Sequence, residues 1–396
     1  MQLTHIHVGP AVRFACVALT AALLTMSVGA SRAGQEAVDL HTAAWQPDAG
    51  AELSYSQSAD VPDGALTVRH GGALLRDAEF KDGTIEFDVR EEPDNQGFPG
   101  LWFHRRDAQV AEEVYLRPDP ACPQSVECVQ YAPVARGNMQ WDVFPEYEAA
   151  APVHATGWNH VRVVISGLRA VVFVNREPKP SLVVGRLEGD SADGGLELWG
   201  DATYANLLVM PGEVAGLDPR PLPDPTAGDP LFLRDWQLAP VGQLARGQAV
   251  SLADEPAYSP AWSLITAERK GFVNLGRLHG TARGTPDVAW LHASVEADHD
   301  QVRRVSLGRA REVWVFVNGK PVFVAPNSYY PSSARRGLGR MTLDNGSFNL
   351  PLRAGRNDIE LAISDDLEAS RHYGWGFVWK FDQVAGLELH KAPSGM

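Results

Sequence analysis

Cysteine is scarce in this chain, with three in 396 residues. Cys16 falls inside an N-terminal apolar run without the small-residue context of a lipid-modification site, which leaves Cys122 and Cys128. Two cysteines without nearby histidine pairs make a poor zinc site. They bracket the loop Pro123-Gln124-Ser125-Val126-Glu127, and a disulfide between them is predicted if the chain is exported. Long hydrophobic runs are also missing beyond Phe14–Ala30, whose 17 residues are short for a membrane-spanning helix. Arg13 before that run and Ser31-Arg32-Ala33 after it give the pattern of a secretory leader, residues 1–33. An uncleaved N-terminal anchor is the alternative. Positive charge is in deficit: 35 Lys and Arg stand against 49 Asp and Glu, a net charge of −14. Cleavage after Ala33 removes Arg13 and Arg32 and no acid, leaving 33 cations against 49 acids, a charge of −16. Such a surface disfavours nucleic acid and anionic membranes as partners.

A sustained 3.6-residue apolar period is absent as well. So are a phosphate loop, a dinucleotide-binding glycine pattern, a nucleophile elbow and a paired zinc-histidine motif, which argues against NTP-driven and serine-hydrolase chemistry. The sequence instead holds short alternating runs broken by turns. In Thr84-Ile85-Glu86-Phe87-Asp88-Val89-Arg90, Ile85, Phe87 and Val89 point inward; Val161, Val163 and Ile165 repeat the pattern after Trp158-Asn159-His160. The string Val-Phe-Val-Asn-x-x-Pro occurs twice, at Val172–Pro178 and at Val315–Pro321, each a strand entering a hairpin. The flanking patterns differ, so the string reads as one hairpin solution used in two sandwiches and lying in neither binding site. Between them, residues 211–230 carry Pro211, Pro219, Pro221, Pro223, Pro225 and Pro230, a composition that excludes helix and favours a stiff, extended spacer. The predicted fold is all-β: two tandem β-sandwich (jelly-roll) domains, 34–210 and 231–396, joined by that Pro-rich linker.

Over residues 80–210 a series of pieces appears in order: Phe80-x-Asp82-Gly83-Thr84-Ile85-Glu86-Phe87, Gly100-Leu101-Trp102-Phe103, Tyr115-Leu116-Arg117-Pro118, Gln130-Tyr131-x-Pro133, Trp158-Asn159-His160-Val161, and Gly195-Leu196-Glu197-Leu198-Trp199-Gly200 leading to Ala205-Asn206-Leu207. In this it resembles the concanavalin A-like lectin/glucanase superfamily, and within it the laminin-G-like group with the 3-keto-disaccharide hydrolase-type domains (DUF1080). The resemblance implies a jelly roll whose concave face often holds a glycan. Val313–Val324, Leu350–Asn357 and Trp375-Gly376-Phe377 resemble a galactose-binding-like jelly roll, many members of which are spacers.

Tyr115 and Arg117 share one strand face while Val114 and Leu116 take the other. An aromatic plate beside a guanidinium fork suits a glycan site, and the alternative is a ladder of surface pairs. Arg105, Gln130, Asn138 and Trp141 are added as candidate carbohydrate contacts. Trp141, Phe144 and Tyr147 lie in one loop, readable as a stacking rim or as a loop pinned to the sandwich edge. Trp375, Phe377 and Trp379 alternate and are expected in the core. Glu86-x-Asp88-x-x-Glu91 has the outline of the carboxylate cluster of family-16-type glucanases, where the two acting carboxyls stand about 5 Å apart. Glu86, Asp88 and His160 are therefore weak catalytic candidates, against an outer strand simply facing water. Loop acids Glu296, Asp298 and Asp300 beside His299, and Asp365-Asp366 with Glu368, could hold a structural calcium; no other cofactor is implied. The leading expectation is a secreted or periplasmic protein binding a polysaccharide or oligosaccharide on its first sandwich. A glycan-active hydrolase or lyase, and an adhesive scaffold binding other proteins, are the rivals.

Overall fold

The computed structural model describes residues 36–92, 98–245, 248–280, 287–326, 340–365 and 373–389. The predicted leader, Asp366 and Glu368 lie outside them. Among the described residues the chain is nearly all β, in antiparallel sheets stacked as two sandwiches. No helix among them is long and apolar enough to cross a membrane.

In the first sandwich one sheet runs Leu182–Val184, Arg169–Val174, Asn159–Ser166, Gly83–Glu91, Ala202–Pro211, Val61–Arg69 and Glu52–Ser58. The facing sheet runs Asn138–Met139, Val129–Ala135, Val110–Leu116, Gly100–Asp107, Gly195–Trp199, Gly72–Leu75 and Trp45–Pro47. Period-2 alternation decides which residues meet between them. Ile85, Phe87, Val89, Val161, Val163 and Ile165 from the first sheet close on Leu101, Phe103, Val114, Leu116 and Tyr131 from the second.

The second sandwich packs the sheet Ser263–Thr266, Asp235–Leu238, Asp287–Ala297, Gly355–Asp365, Val313–Val317, Lys320–Ala325 on a smaller one, Phe272–Asn274, Gly376–Phe381, Gln301–Ala310, Ser347–Leu352. Trp375, Phe377 and Trp379 are buried in its core with Trp236, as their alternation predicts. The other face of the larger sheet is buried too: Trp290, Trp314 and Phe316 are covered by Ala239, Leu244, Val250 and Trp262.

The expected spacer is corrected. Residues 212–230 form no helix or strand, yet they lie along the first sandwich, where Leu168 N donates to Pro219 O (3.1 Å) and Leu222 N to Gly185 O (2.8 Å). Nor are the sandwiches held apart. Phe232, Phe272, Ala310, Met341 and Val378 of the second belong to the same apolar cluster as the core of the first. The seam also buries an ion pair, Arg311 Nη1 to Asp142 Oδ2 at 3.0 Å. Beside it, Asn274 Nδ2 donates to Gln140 Oε1 (2.8 Å) and Met341 N to Asp142 O (2.7 Å). The loop of Trp141, Phe144 and Tyr147 is the wedge of this seam rather than an open rim. All three are buried, and Phe144 meets Phe272 edge-on at 5.6 Å.

Candidate functional site

The outer face of the Gly100–Asp107 sheet gathers most of the chemistry. Strand register sets out two rows of side chains across it. One row runs Glu148, Gln130, Tyr115, Gly100, Trp199. The next runs Ala132, Glu113, Trp102, Glu197. Gly100 carries no side chain, and Tyr115 packs into the space one would take: a Cβ there would lie 2.9 Å from Tyr115 Cβ. Trp102 and Trp199, diagonal neighbours on adjacent strands, stack at 4.9 Å with their planes 17° apart.

Glu113 and Glu197 flank Trp102 and are buried, 1 % and 0 % exposed. Burial pushes the Glu113 carboxyl up to about 8, against the pull of the Trp102 indole N–H. Its Oε2 has no hydrogen-bond partner among the described residues. Burial likewise pushes Glu197 up to about 8; Arg105, in direct contact, pulls it down and Asp48 pushes it back up. Arg105 also faces Asp48 at 3.6 Å. Glu113, Glu197, Trp102 and Trp199 escaped the sequence reading of candidates. Their signal was available: Trp102, Glu113, Glu197 and Trp199 share the outward phase once Leu101, Val114 and Leu198 are set inward.

The sequence-chosen carbohydrate residues are only partly assembled here. Arg105 stands opposite Gly195, across a bulge from the row of Glu113, Trp102 and Glu197, and reaches Glu197 from there. Tyr115 lies on the expected face but is buried against Ala132 and Trp141, with Tyr373 of the second sandwich packed on the group. Gln130 is fully buried and donates to Glu148 Oε2 (3.2 Å), which also accepts from Arg340 Nη1 (2.8 Å). Trp141 lies under the Arg340 guanidinium at 3.9 Å and meets Tyr373 edge-on at 5.5 Å. The second sandwich thus closes the Tyr115 end of the face, because Arg340 and Tyr373 use the aromatic plates offered there. Asn138 pairs with Ala135, one residue out of phase with Gln130 and Ala132, and so turns to the opposite side. A Cβ on Gly276, in the short helix Leu275–His279, would lie 3.4 Å from its Nδ2. Arg117 stays at the rim, 4.6 Å from the exposed Phe98 ring and paired with Glu127 at 3.2 Å.

The weak catalytic trio does come together, on the outer face of the opposite sheet. His160 sits across from Asp88 in register, with Nδ1 at 2.8 Å from Asp88 Oδ1 and Nε2 at 3.9 Å from Glu86 Oε2. Burial raises the Asp88 carboxyl, but hydrogen bonds from His160 and Asn206 outweigh it and leave the group below its usual value. Asp88 and His160 line a hollow of about 350 Å³ with Trp158, Asn206, Asn175 and Arg176. The first Val-Phe-Val-Asn string therefore reaches this hollow, and Asn318 of the second string lines another, of about 520 Å³, beside Gln301 and Arg353.

Cys122 and Cys128 form a disulfide. The loop acids do not converge. Asp298 pairs with His299, Asp300 accepts from Ala354 N (2.7 Å), and Asp365 faces Arg311 at 3.8 Å. Among the described residues no group of three or more His, Cys, Asp or Glu is placed to hold a metal ion.

No family model matches the chain, and no curated protein matches it. Solved structures show distant likeness. Carbohydrate binding module CBM66 from Bacillus subtilis is 17% identical, covering 41% of this chain and 93% of its own, with a TM-score of 0.30. A putative glycosyl hydrolase from Parabacteroides distasonis is 14% identical over 45% of this chain and 88% of its own, TM-score 0.26. The exoplasmic/lumenal domain of VIP36 is 13% identical over 46% and 86%, TM-score 0.28.

Proposed function

We propose that this chain binds carbohydrate on the outer face of the Gly100–Asp107 sheet. The observation that supports it is the stacked Trp102–Trp199 pair, with acids and guanidinium groups on either side. A sugar presents an apolar C–H face and a rim of hydroxyls. The first stacks on indole; the second needs paired donors and acceptors at fixed points. Trp199, half-buried, and Phe98, exposed, give the ring a place to land. Arg105, Arg117 and Glu127 supply the polar partners. In this reading residues 1–33 export the chain, 34–210 carry the site, and 231–396 close its Tyr115 end.

A glycan screen on the whole chain after residue 33 tests this. The whole chain is needed because the apolar cluster of the first sandwich includes residues of the second. Binding of at least one polysaccharide or oligosaccharide, weakened about tenfold or more by Trp199→Ala with unchanged circular dichroism, is the expected result. Absence of binding across the screen, or binding indifferent to Trp199→Ala, refutes the assignment.

A further inference from the structure

We infer that the seam between the two sandwiches holds a second site, for a small uncharged phenol: one aromatic ring with a short apolar tail and a hydroxyl. It shares no lining residue with the carbohydrate face and goes beyond that reading.

A cavity of about 220 Å³ opens where the wedge loop of the first sandwich, the connector 212–230 and the second sandwich meet. Its inner wall is Val143, Phe144, Phe232, Phe272, Met341 and Val378, each 8 % exposed or less. Glu146 and Pro225 are exposed and mark the mouth. An apolar cavity of about 150 Å³ takes a benzene, so this one has room for a ring and about three further carbons. Three phenylalanine rings in the wall suit an aromatic guest packed edge to face.

The walls are held apart. Asp224 Oδ1 accepts from Thr226 N (2.9 Å), Thr226 Oγ1 (2.9 Å) and Lys270 N (3.1 Å), and Arg234 Nη2 donates to Thr226 Oγ1 (2.8 Å). These ties fix the connector to the second sandwich at the mouth, so it cannot sink inward and fill the space. Interiors keep few voids larger than a water molecule, and seams between domains are where ligand pockets recur.

The polar end selects the head group. Arg269 Nη1 donates to Glu188 Oε1 (2.8 Å), which also accepts from Tyr147 Oη (2.8 Å). Arg269 Nε is buried and has no hydrogen-bond partner among the described residues. Glu188 Oε2 stands 3.6 Å from Arg186 Nε, too far for a hydrogen bond. One donor and one acceptor therefore remain on two adjoining side chains that both line the cavity. A hydroxyl answers both, accepting from Arg269 and donating to Glu188, whereas an ether or ketone answers the first alone. Charge argues against an ionised head. Arg269 is paired with Glu188 and Lys270 with Glu146, so a carboxylate or ammonium would be desolvated beside a like charge with no counter-charge left over.

Titration calorimetry at pH 7 on the whole chain after residue 33 tests this with three probes of similar shape: 4-propylphenol, 4-propylbenzoate and propylbenzene. The phenol should bind one to one, and each of the others about tenfold more weakly or worse. Leu343→Trp, which sets an indole into the cavity from a half-buried lining position, should abolish binding with unchanged circular dichroism. Arg269→Met leaves Glu188 its bond from Tyr147 and should bring phenol and propylbenzene within about twofold of each other. No binding of 4-propylphenol, equal binding of either other probe, or binding that survives Leu343→Trp overturns the inference. Should Leu343→Trp fail to fold, an undiminished preference for the phenol in Arg269→Met overturns it alone.

Discussion

Asn175 and Asn318, 143 positions apart, occupy the same hydrogen-bonded corner in the two sandwiches. Both have left-handed backbone, φ 52° and 50°. Asn175 Oδ1 accepts from His160 N (2.8 Å) and its Nδ2 donates to Asn159 Oδ1 (2.9 Å). Asn318 Oδ1 accepts from Asp358 N (3.1 Å) and its Nδ2 donates to Asn357 Oδ1 (2.8 Å). Asn159 and Asn357 then each tie back to the chain just before them, at His154 and Arg353. The register agrees too, Val174 opposite Val161 and Val317 opposite Ile359.

Each asparagine should therefore be costly to remove. Asn175→Ala loses three side-chain hydrogen bonds and Asn318→Ala two, and each strains a left-handed position, about 3–4 kcal/mol for the first and about 3 kcal/mol for the second. Asn→Gly relieves the strain alone and should recover about 1 kcal/mol. Urea unfolding of the four variants checks this. Equal stability of the Gly and wild-type proteins would show that the amide bonds contribute nothing.

Replacing one partner of the seam ion pair removes a buried charge that the other is paired with. Asp142→Ala takes a hydrogen-bonded carboxylate from the buried Arg311 and should destabilise by about 3–5 kcal/mol, whereas Asp142→Ala with Arg311→Met should recover much of it. Chemical denaturation read by tryptophan fluorescence decides, and equal losses in the single and double variants would refute it.

Stability should fall as the pH rises from about 4.5 to about 8. Glu112, Glu113 and Glu197 are each raised from 4.5 to about 8 by burial. Below about pH 4.5 they are protonated whether the chain is folded or not, and cost nothing. Between 4.5 and 8 the unfolded chain releases these protons while the folded one keeps them, so unfolding gains; above 8 the difference stays constant. Glu113→Gln should melt at the wild-type temperature at pH 4 and clearly above it at pH 8.5. Calorimetry at the two pH values would show a constant gap if Glu113 titrates normally.

Arg340 over Trp141 offers an optical reading of the seam. Arg340→Ala uncovers a ring that is 4 % exposed. Trp141 should become quenchable by acrylamide and its emission should shift to the red. A spectrum and quenching unchanged from the wild-type protein would mean that other groups keep the ring dry.

Alternation made the sandwiches readable, because Ile85, Phe87 and Val89 or Trp375, Phe377 and Trp379 have to share a face whatever surrounds them. The Glu86–Asp88–His160 meeting was readable in part, since period 2 put both acids on one side. What no local pattern could supply is the neighbour of an outward-facing residue. Tyr115 and Trp141 have the composition of a sugar platform, but Arg340 and Tyr373, over 190 positions later, occupy it. The burial of Glu113 and Glu197 depends on partners from other strands, which is why two acids in ordinary polar phase gave no warning. The shared corner was in plain view as Gly157-Trp158-Asn159-His160-Val161 and Gly355-Arg356-Asn357-Asp358-Ile359, but the two pieces lie on opposite sides of their hairpins in chain order.

One apolar cluster spanning both sandwiches gives the chain the character of a split protein in waiting. Nicking it near Gly216, where an added side chain would meet nothing, would release no free half. The fragments would stay clasped through Phe232, Phe272 and Met341, and two separately made pieces should find each other and reassemble.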